Sequence, residues 1–490
     1  QFTPRSHYTK NSVLRAYFRT MMYLGRSSYF LAKDIGILDS CLLVKQIALK
    51  RGDGIAPLAS WKNIMAITGF YAGQSDDLTY DEWRDFESKY LPSVSSDSDL
   101  LSAANINKLA QNMDQLRRPK ILSDVIINEN IASLTKANLL RQSLAFRIFG
   151  QRFTFDAWVL NDLTGGQEKT AAKLPSTPSA LFISAALGDP QAKKYAGEFL
   201  QKEESFSEDD IKGFSTELDR KRSDIDKVNK DEWFSSMGSA WLYVLGALTH
   251  NYGENYPIYM RSTSFLDKQI QTFLGSYTEL KHDTLLYAKQ SYAEMGGGGD
   301  LLVPPVVKGF VEPNIDFWNR FNELLYRTEQ FFVANNLLAG RSPLARLQQF
   351  KEIVGFYSRI AKKELLAQPI SDDEYEKLRA TGLSFMASPF EAGQDMPDED
   401  SSKVALIADI HTDAVKGQIL YEATGKPYLM LAVVANEKTP RVVASLVYNH
   451  YEFTGELGKR LTDEDWRDWV YMQTSKLPAK NFWYRSFLVE

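Results

Sequence analysis

Gln418-Ile419-Leu420-Tyr421-Glu422-Ala423-Thr424-Gly425-Lys426-Pro427-Tyr428-Leu429-Met430-Leu431-Ala432-Val433-Val434 decides the fold. Two short runs of aliphatic, β-branched and aromatic residues flank a Thr-Gly-Lys-Pro step, and glycine followed by proline stops any helix there. On the same basis residues 404–410, 418–423, 428–435 and 441–453 read as strands. The connections at 413–417, 424–427 and 436–440 are short enough for an antiparallel meander. A terminal helix starts at Thr462. The C-terminal unit is therefore α+β.

Working outward, the period changes to that of helices. Val13, Leu14, Tyr17, Phe18, Met21 and Met22 recur at three- and four-residue spacing, and Gly25 ends that stripe. Further helices are predicted over 34–50, 264–292, 314–338 and 343–367. Gly296 to Gly299 and Pro304-Pro305 form a linker after the longest of them. Residues 389–402, with Glu391, Asp395, Asp398, Glu399 and Asp400, read as an acidic loop and domain boundary. The fold class is thus mostly α, a multi-helical body with a small C-terminal α+β unit on an antiparallel meander sheet. The expected divisions are an N-terminal helical lobe at 1–125, a central helical lobe at 126–395, and the sheet with its helix at 396–490. Thr79, Ser207, Ser371 and Thr462 each stand three residues before an acid, which places a capping box at four helix starts.

Composition narrows the function classes. At 490 residues the chain is too long for one core, and 44% hydrophobic and 12% aromatic residues supply the apolar material for several. The net charge is −5, with acids and bases interspersed, so no basic stripe points to nucleic acid. Cys41 is the sole cysteine, which excludes an internal disulfide and any cysteine zinc site. Its apolar helical surroundings read as those of a buried structural thiol. No run approaches 18 apolar residues, so no membrane span is expected, and any signal or lipid anchor is expected upstream of Gln1. The loop 164–170 ends in Lys-Thr like a phosphate loop, yet it lacks the glycines that such a loop needs. It is rejected as one.

Two places carry residues able to do chemistry. On the 264–292 helix, Leu266, Ile270, Phe273, Leu274, Tyr277 and Leu280 make one stripe, while Glu279 and His282 lie on the far side. Glu-x-x-His on a helix is half of a carboxylate-bridged di-metal pattern, and Asp283 adjoins it. The plainer alternative is a buried ion pair. The second place is Asp409-Ile410-His411-Thr412-Asp413 at a strand end. Strict alternation puts Asp409, His411 and Asp413 on one face, where they can hold a divalent metal with Glu422 or His450 from neighbouring strands. The plainer alternative is a solvated strand face. There is no Gly-x-Ser-x-Gly elbow and no His-Glu-x-x-His, so no catalytic signature is recognisable. The aromatic runs 146–158 and 252–259 read as core or as the lining of a sugar- or peptide-binding cleft.

Several stretches together resemble a bacterial family known as domain of unknown function 3160. They are Phe2-Thr3-Pro4-Arg5-Ser6-His7-Tyr8-Thr9, Tyr17 to Arg26, and Glu279-Leu280-Lys281-His282-Asp283-Thr284 with its continuation to Tyr292. Gly309-Phe310-Val311-Glu312-Pro313-Asn314 and Ala408-Asp409-Ile410-His411-Thr412-Asp413 complete the set. The resemblance implies an exported, often lipoprotein-like protein at the cell surface or in the periplasm, and it supplies no activity. The expected function is a binding or scaffolding module without catalysis, its partner another surface protein, a glycan or a peptide. No cofactor is expected. A metal-dependent hydrolase is the alternative, with a glycan- or peptide-binding protein as the second.

Overall fold

The computed structural model describes residues 2–49, 56–92, 96–100, 102–122, 134–165, 172–284, 308–337, 341–386, 404–414, 416–434, 440–484 and 486–488. Helices α1 (Ser12–Arg26), α2 (Asp34–Ala48), α3 (Pro57–Ala72) and α4 (Tyr80–Tyr90) come first, with a short strand β1 (Tyr29–Phe30). Next are α5 (Asp97–Leu100), α6 (Ala103–Ala110), α7 (Lys136–Gln142), β2 (Ala145–Phe146) and α8 (Phe155–Leu163). Helices α9 (Leu181–Ala186), α10 (Pro190–Glu203), α11 (Glu208–Ile225), α12 (Lys230–Trp233) and α13 (Met237–Leu245) follow. The long helices α14 (Thr263–Thr284), α15 (Ile315–Ala334), α16 (Arg341–Leu365) and α17 (Asp372–Met386) complete the helical body. Five strands then precede α18 (Asp463–Tyr471): β3 (Leu406–Asp413), β4 (Gln418–Thr424), β5 (Tyr428–Val434), β6 (Arg441–Val447) and β7 (His450–Glu456). The chain is mostly α with a C-terminal antiparallel α+β part, as its period predicts.

All four capping boxes form. Thr79 and Thr462 accept from the backbone of Glu82 and Asp465, whose carboxylates accept in return. Ser207 with Asp210 and Ser371 with Glu374 exchange the same two bonds. Each box satisfies two donors that the first helical turn leaves open, which is why these helices start where they do.

The chain gathers into two compact units. The first comprises Gln1–Pro178, Phe206–Lys221 and Asp231–Ser239, and the second comprises Ser179–Ser205, Arg222–Lys230 and Ala240–Glu490. The cuts expected at 125/126 and 395/396, the acidic loop and the tetraglycine linker all fall on residues outside those described.

In the first unit Trp83, Leu109 and Phe146 are fully buried together with Cys41 of α2. β1 pairs antiparallel with β2 through Tyr29–Phe146 and Phe30–Ala145. Arg147, beside this ladder, is buried against Asp77 at 3.2 Å. Phe155 is buried and stacks on Trp233 at 4.3 Å, so the aromatic run at 146–158 builds core.

In the second unit the strands do not form one meander. β3, β4 and β7 make a three-stranded antiparallel sheet in that order, while β5 and β6 pair only with each other. The predicted strand 441–453 is two strands, broken at Tyr448-Asn449, where the Asn449 carbonyl accepts from Gly425 N–H at 2.7 Å. This bond starts β7 beside the end of β4, and the β5–β6 hairpin is left as a ribbon inserted between them. One face of the three-stranded sheet, carrying Ile419, Tyr421, Ala423 and Tyr451, packs on Trp466 and Val470 of α18. Helix α14 also packs on β3 and β4.

Helix α14 is enclosed on more than its apolar stripe. Ile270, Phe273, Leu274 and Tyr277 are fully buried, but so are Asp267, Gln271 and Thr278. Each of these buried polar side chains makes at least one hydrogen bond, as burial demands. Asp267 accepts from Tyr195 Oη at 2.9 Å and from Gln191 Nε2 at 3.0 Å. Gln269 donates to Tyr252 Oη and Gln271 to the Tyr448 carbonyl, each at 2.8 Å. Lys268 meets Glu312 at 2.6 Å.

Candidate functional site

The C-terminal half of α14 carries Glu279, His282 and Asp283 into the second unit, where each meets a specific partner. His282 is 5% exposed. Its Nε2 lies 2.7 Å from Asp463 Oδ2 and its Nδ1 lies 3.4 Å from Asp283 Oδ1. Asp463 is the first residue of α18, held there by the Thr462 capping box, and its other oxygen accepts from Ile407 N–H of β3 at 3.3 Å. Burial opposes the charged imidazole, yet the Asp463 carboxylate and Asp283 outweigh it and hold His282 up to about 9. Burial would likewise raise Asp463, but the imidazolium and Arg467 hold it below the usual carboxylate range. This is a buried ion pair with a second acid, Asp283, beside it.

Glu279 does not join that pair. Its Oε2 accepts from Tyr448 Oη at 2.8 Å, and burial raises its pKa, with the Asp283 charge adding to the effect. The Tyr448 ring lies so close to α14 that a Cβ at Gly275 would stand 2.4 Å from ring carbon Cγ. Glycine at 275 is thus what lets the ring reach Glu279.

The second predicted set divides differently from its expectation. β3 pairs Asp409 with Tyr421 and His411 with Leu420, so Ile410 is an extra residue, a β-bulge. Residues directly opposite on antiparallel strands share a face. Asp409 therefore sits on the Tyr421 face, and His411 and Asp413 sit on the opposite one with Leu420 and Gln418. The alternation that would align all three is broken by one residue, which no periodicity count reveals. Asp409 pairs with Arg460. Asp413 accepts from Lys416 N–H at 2.9 Å and shapes the β3–β4 turn. Among the described residues, no group of three or more His, Cys, Asp or Glu is arranged to hold a metal.

Glu422 and His450, considered above as additions to the Asp409 set, join each other instead. Glu422 stands opposite Glu452 and Thr424 opposite His450, so all four share the face turned away from Tyr421. His450 Nε2 is 2.5 Å from Glu422 Oε2, and both residues are fully buried. Glu452 Oε2 accepts from Ala180 N–H at 2.7 Å and from Ser179 Oγ at 3.0 Å. Burial, with the Glu452 charge beside it, pushes Glu422 far above the carboxylate range. Burial and the nearby Lys480 charge push His450 down to about 3. Burial thus favours the neutral form of the Glu422 carboxyl and of the imidazole, and one hydrogen bond joins the two. The sequence signal was an acid inside each apolar run, Tyr421-Glu422-Ala423 and Tyr451-Glu452-Phe453.

Further along the chain, Lys480 Nζ donates to Asn449 Oδ1 at 2.5 Å and to Tyr451 Oη at 2.7 Å. It lies 4.0 Å from the Tyr451 ring centroid and 4.9 Å from that of Tyr428. Burial of the amine lowers its pKa to about 8. The run 252–259 is packed as well: Tyr252 clusters with Met260 and Phe265. In the first unit an open cleft of about 300 Å³ is lined by Glu82, Phe86, Lys89 and Arg117, with Arg117 paired to Glu82 at 2.6 Å. None of the predicted site residues lines it.

No helix among the described residues is long and apolar enough to cross a membrane. No curated protein and no solved structure matches the chain. The segments that resemble domain of unknown function 3160 are borne out over nearly the full length, with a family model matching residues 1–484. The chain belongs to the family described as protein of unknown function (DUF3160).

Proposed function

We propose that the chain is a binding or scaffolding protein that works outside the cytoplasm, without catalysis of its own. One observation carries this reading: both ring nitrogens of His282 are engaged by carboxylates, Nε2 by Asp463 and Nδ1 by Asp283. An imidazolium held up to about 9 has no lone pair at neutral pH to ligate a metal or to take a proton. The remaining candidates are similarly committed, Glu279 to Tyr448, Asp409 to Arg460 and Asp413 to its turn. Their geometry favours holding elements together over turning over a substrate. Location outside the cytoplasm is supported by the family resemblance. It is also compatible with a lone thiol that is fully buried and pushed up to about 12, chiefly by burial.

The test has two parts. Protein purified without chelators is analysed for metals, alongside His282→Gln and Asp413→Asn. No stoichiometric metal is expected in any of them. One equivalent per chain, lost in either variant, would replace this reading with a metal-dependent hydrolase. Fractionation of cells making the full-length protein is expected to leave it out of the cytoplasmic fraction, and recovery in that fraction would refute the location.

A further inference from the structure

Residues 1–33 carry Arg5, Lys10, Arg15, Arg19, Arg26 and Lys33 and no acid, on a chain whose net charge is −5. These bases stand four to seven positions apart, so no run shows in the linear order. Helix α1 gathers three of them. At about 100° per residue, Arg15, Arg19 and Arg26 fall into one stripe about 40° wide. Among the described residues no acid pairs with any of the three. Bases on other helices do find acids: Arg220 meets Glu217 and Arg379 meets Glu376, each at 2.7 Å. Arg15 gives its Nε to the Thr9 carbonyl at 2.9 Å and keeps its two terminal nitrogens.

The apolar stripe expected from Val13 to Met22 is not a core stripe. Of its fifteen residues α1 buries only Phe18, whose ring centroid lies 5.4 Å from that of Tyr8. Val13 is 75%, Tyr23 64% and Tyr17 38% exposed. With Ala16, Thr20 and Leu24 they fill the next sector beyond the arginines, about 120° wide, and no charge falls in it. The Thr20 hydroxyl donates to the Ala16 carbonyl at 3.0 Å, so its hydrogen bond is already made inside the helix. A helix that is apolar over one sector and edged by bases has the form that lies in a bilayer interface. Guanidinium groups fit phosphate, and tyrosine, with an apolar body and a polar tip, suits the boundary between headgroups and acyl chains. A nucleic acid or an acidic protein would cover the arginines and leave Val13 and Tyr17, more than about 120° round the helix, in water. A bilayer offers phosphate and hydrocarbon side by side.

We infer that α1 binds the surface of an anionic phospholipid bilayer, with its arginines on lipid phosphates and Tyr23, Val13 and Tyr17 in the layer beneath the headgroups. This rests on the binding reading and deepens it by naming the surface bound. Each base held at such a surface tightens binding about five-fold, and salt screens that contribution.

Co-sedimentation of the whole chain with vesicles tests it. At about 0.1 M salt, binding is expected to vesicles of equal parts phosphatidylglycerol and phosphatidylcholine and not to phosphatidylcholine alone. Arg15→Gln combined with Arg19→Gln is expected to weaken binding about 25-fold. Val13→Asp, which keeps every arginine, is expected to weaken it about ten-fold. Lys459→Gln, at a side chain 80% exposed and off this helix, is expected to bind like the wild type. Because the native thiol is buried, Val13→Cys takes a polarity-sensitive dye selectively, and its emission is expected to shift to the blue on the anionic vesicles. Circular dichroism confirms that each variant is folded. No binding to the anionic vesicles, equal binding to the neutral ones, or binding that survives the paired arginine substitutions overturns the inference. A DNA duplex or heparin bound as tightly as the vesicles, with Val13→Asp unchanged, would assign the stripe to a polyanion and overturn it equally. None of these outcomes touches the metal and fractionation results, so the two readings fail separately.

Discussion

His282 holds a buried charge between two carboxylates, Asp463 and Asp283. Its folded pKa, about 9, lies above the unfolded value of about 6.5. The pair therefore contributes its full stability below about pH 6.5 and loses it as pH rises through about 9. Asp463 is shifted the other way, so its share is present above about pH 4 and is lost as pH falls below that. Denaturant midpoints measured from pH 6 to 10 are expected to fall for the wild type, by the equivalent of about 3 kcal/mol. His282→Gln, which takes the hydrogen-bonded imidazolium from buried Asp463, is expected to lose about 3–5 kcal/mol at pH 7 and to show no such fall. A parallel decline in both proteins would mean that another group titrates. The pairing as such was readable from Glu-x-x-His only as one alternative, because its partner lies 181 residues away and no local pattern names Asp463.

At the scale of elements, helix starts were the most legible feature and strand partners the least. A capping box is written in four consecutive residues, and all four predicted boxes form. Strand register depends on a single inserted residue, Ile410, and on which strand turns back to which. Both are decided by packing between segments, so β7 beside β4 and the detached β5–β6 ribbon could not be counted out of the alternation. The same holds for α14, where Asp267, Gln269 and Gln271 take partners on other segments that no local pattern names. Gly275 gives the sharpest test of this packing. Alanine there improves helix propensity by about 1 kcal/mol but drives a methyl into the Tyr448 ring. Gly275→Ala is expected to destabilise the protein by about 1–3 kcal/mol in chemical unfolding. Gly275→Ala combined with Tyr448→Ala is expected to recover part of that loss, since the ring is then gone. A stable single variant would show that Tyr448 can move off α14 at little cost.

For the whole molecule, fold class and family were legible because they rest on period and on segments spread along the chain. The division into two units was not, since each unit draws on separated stretches of sequence. One of these units depends on its last helix. A chain ending at residue 461 lacks Asp463 and the fully buried Trp466. It is expected to keep much of its helical circular dichroism signal yet to be digested within minutes by dilute protease at 25 °C, conditions that the full chain resists. Equal resistance would show that α18 is an accessory.

The distance between His282 and Asp463 also sets a clock. The bond closes over 181 residues. At about 5–20 residues per second, a ribosome needs roughly 10–40 s to travel from one partner to the other. During that interval the basic end of α14 exists without the acid that its buried position requires. The second unit therefore matures only once Asp463 has been made, and the nascent chain passes that interval uncommitted to its final packing. A cell has those seconds in which to bind it, thread it or degrade it.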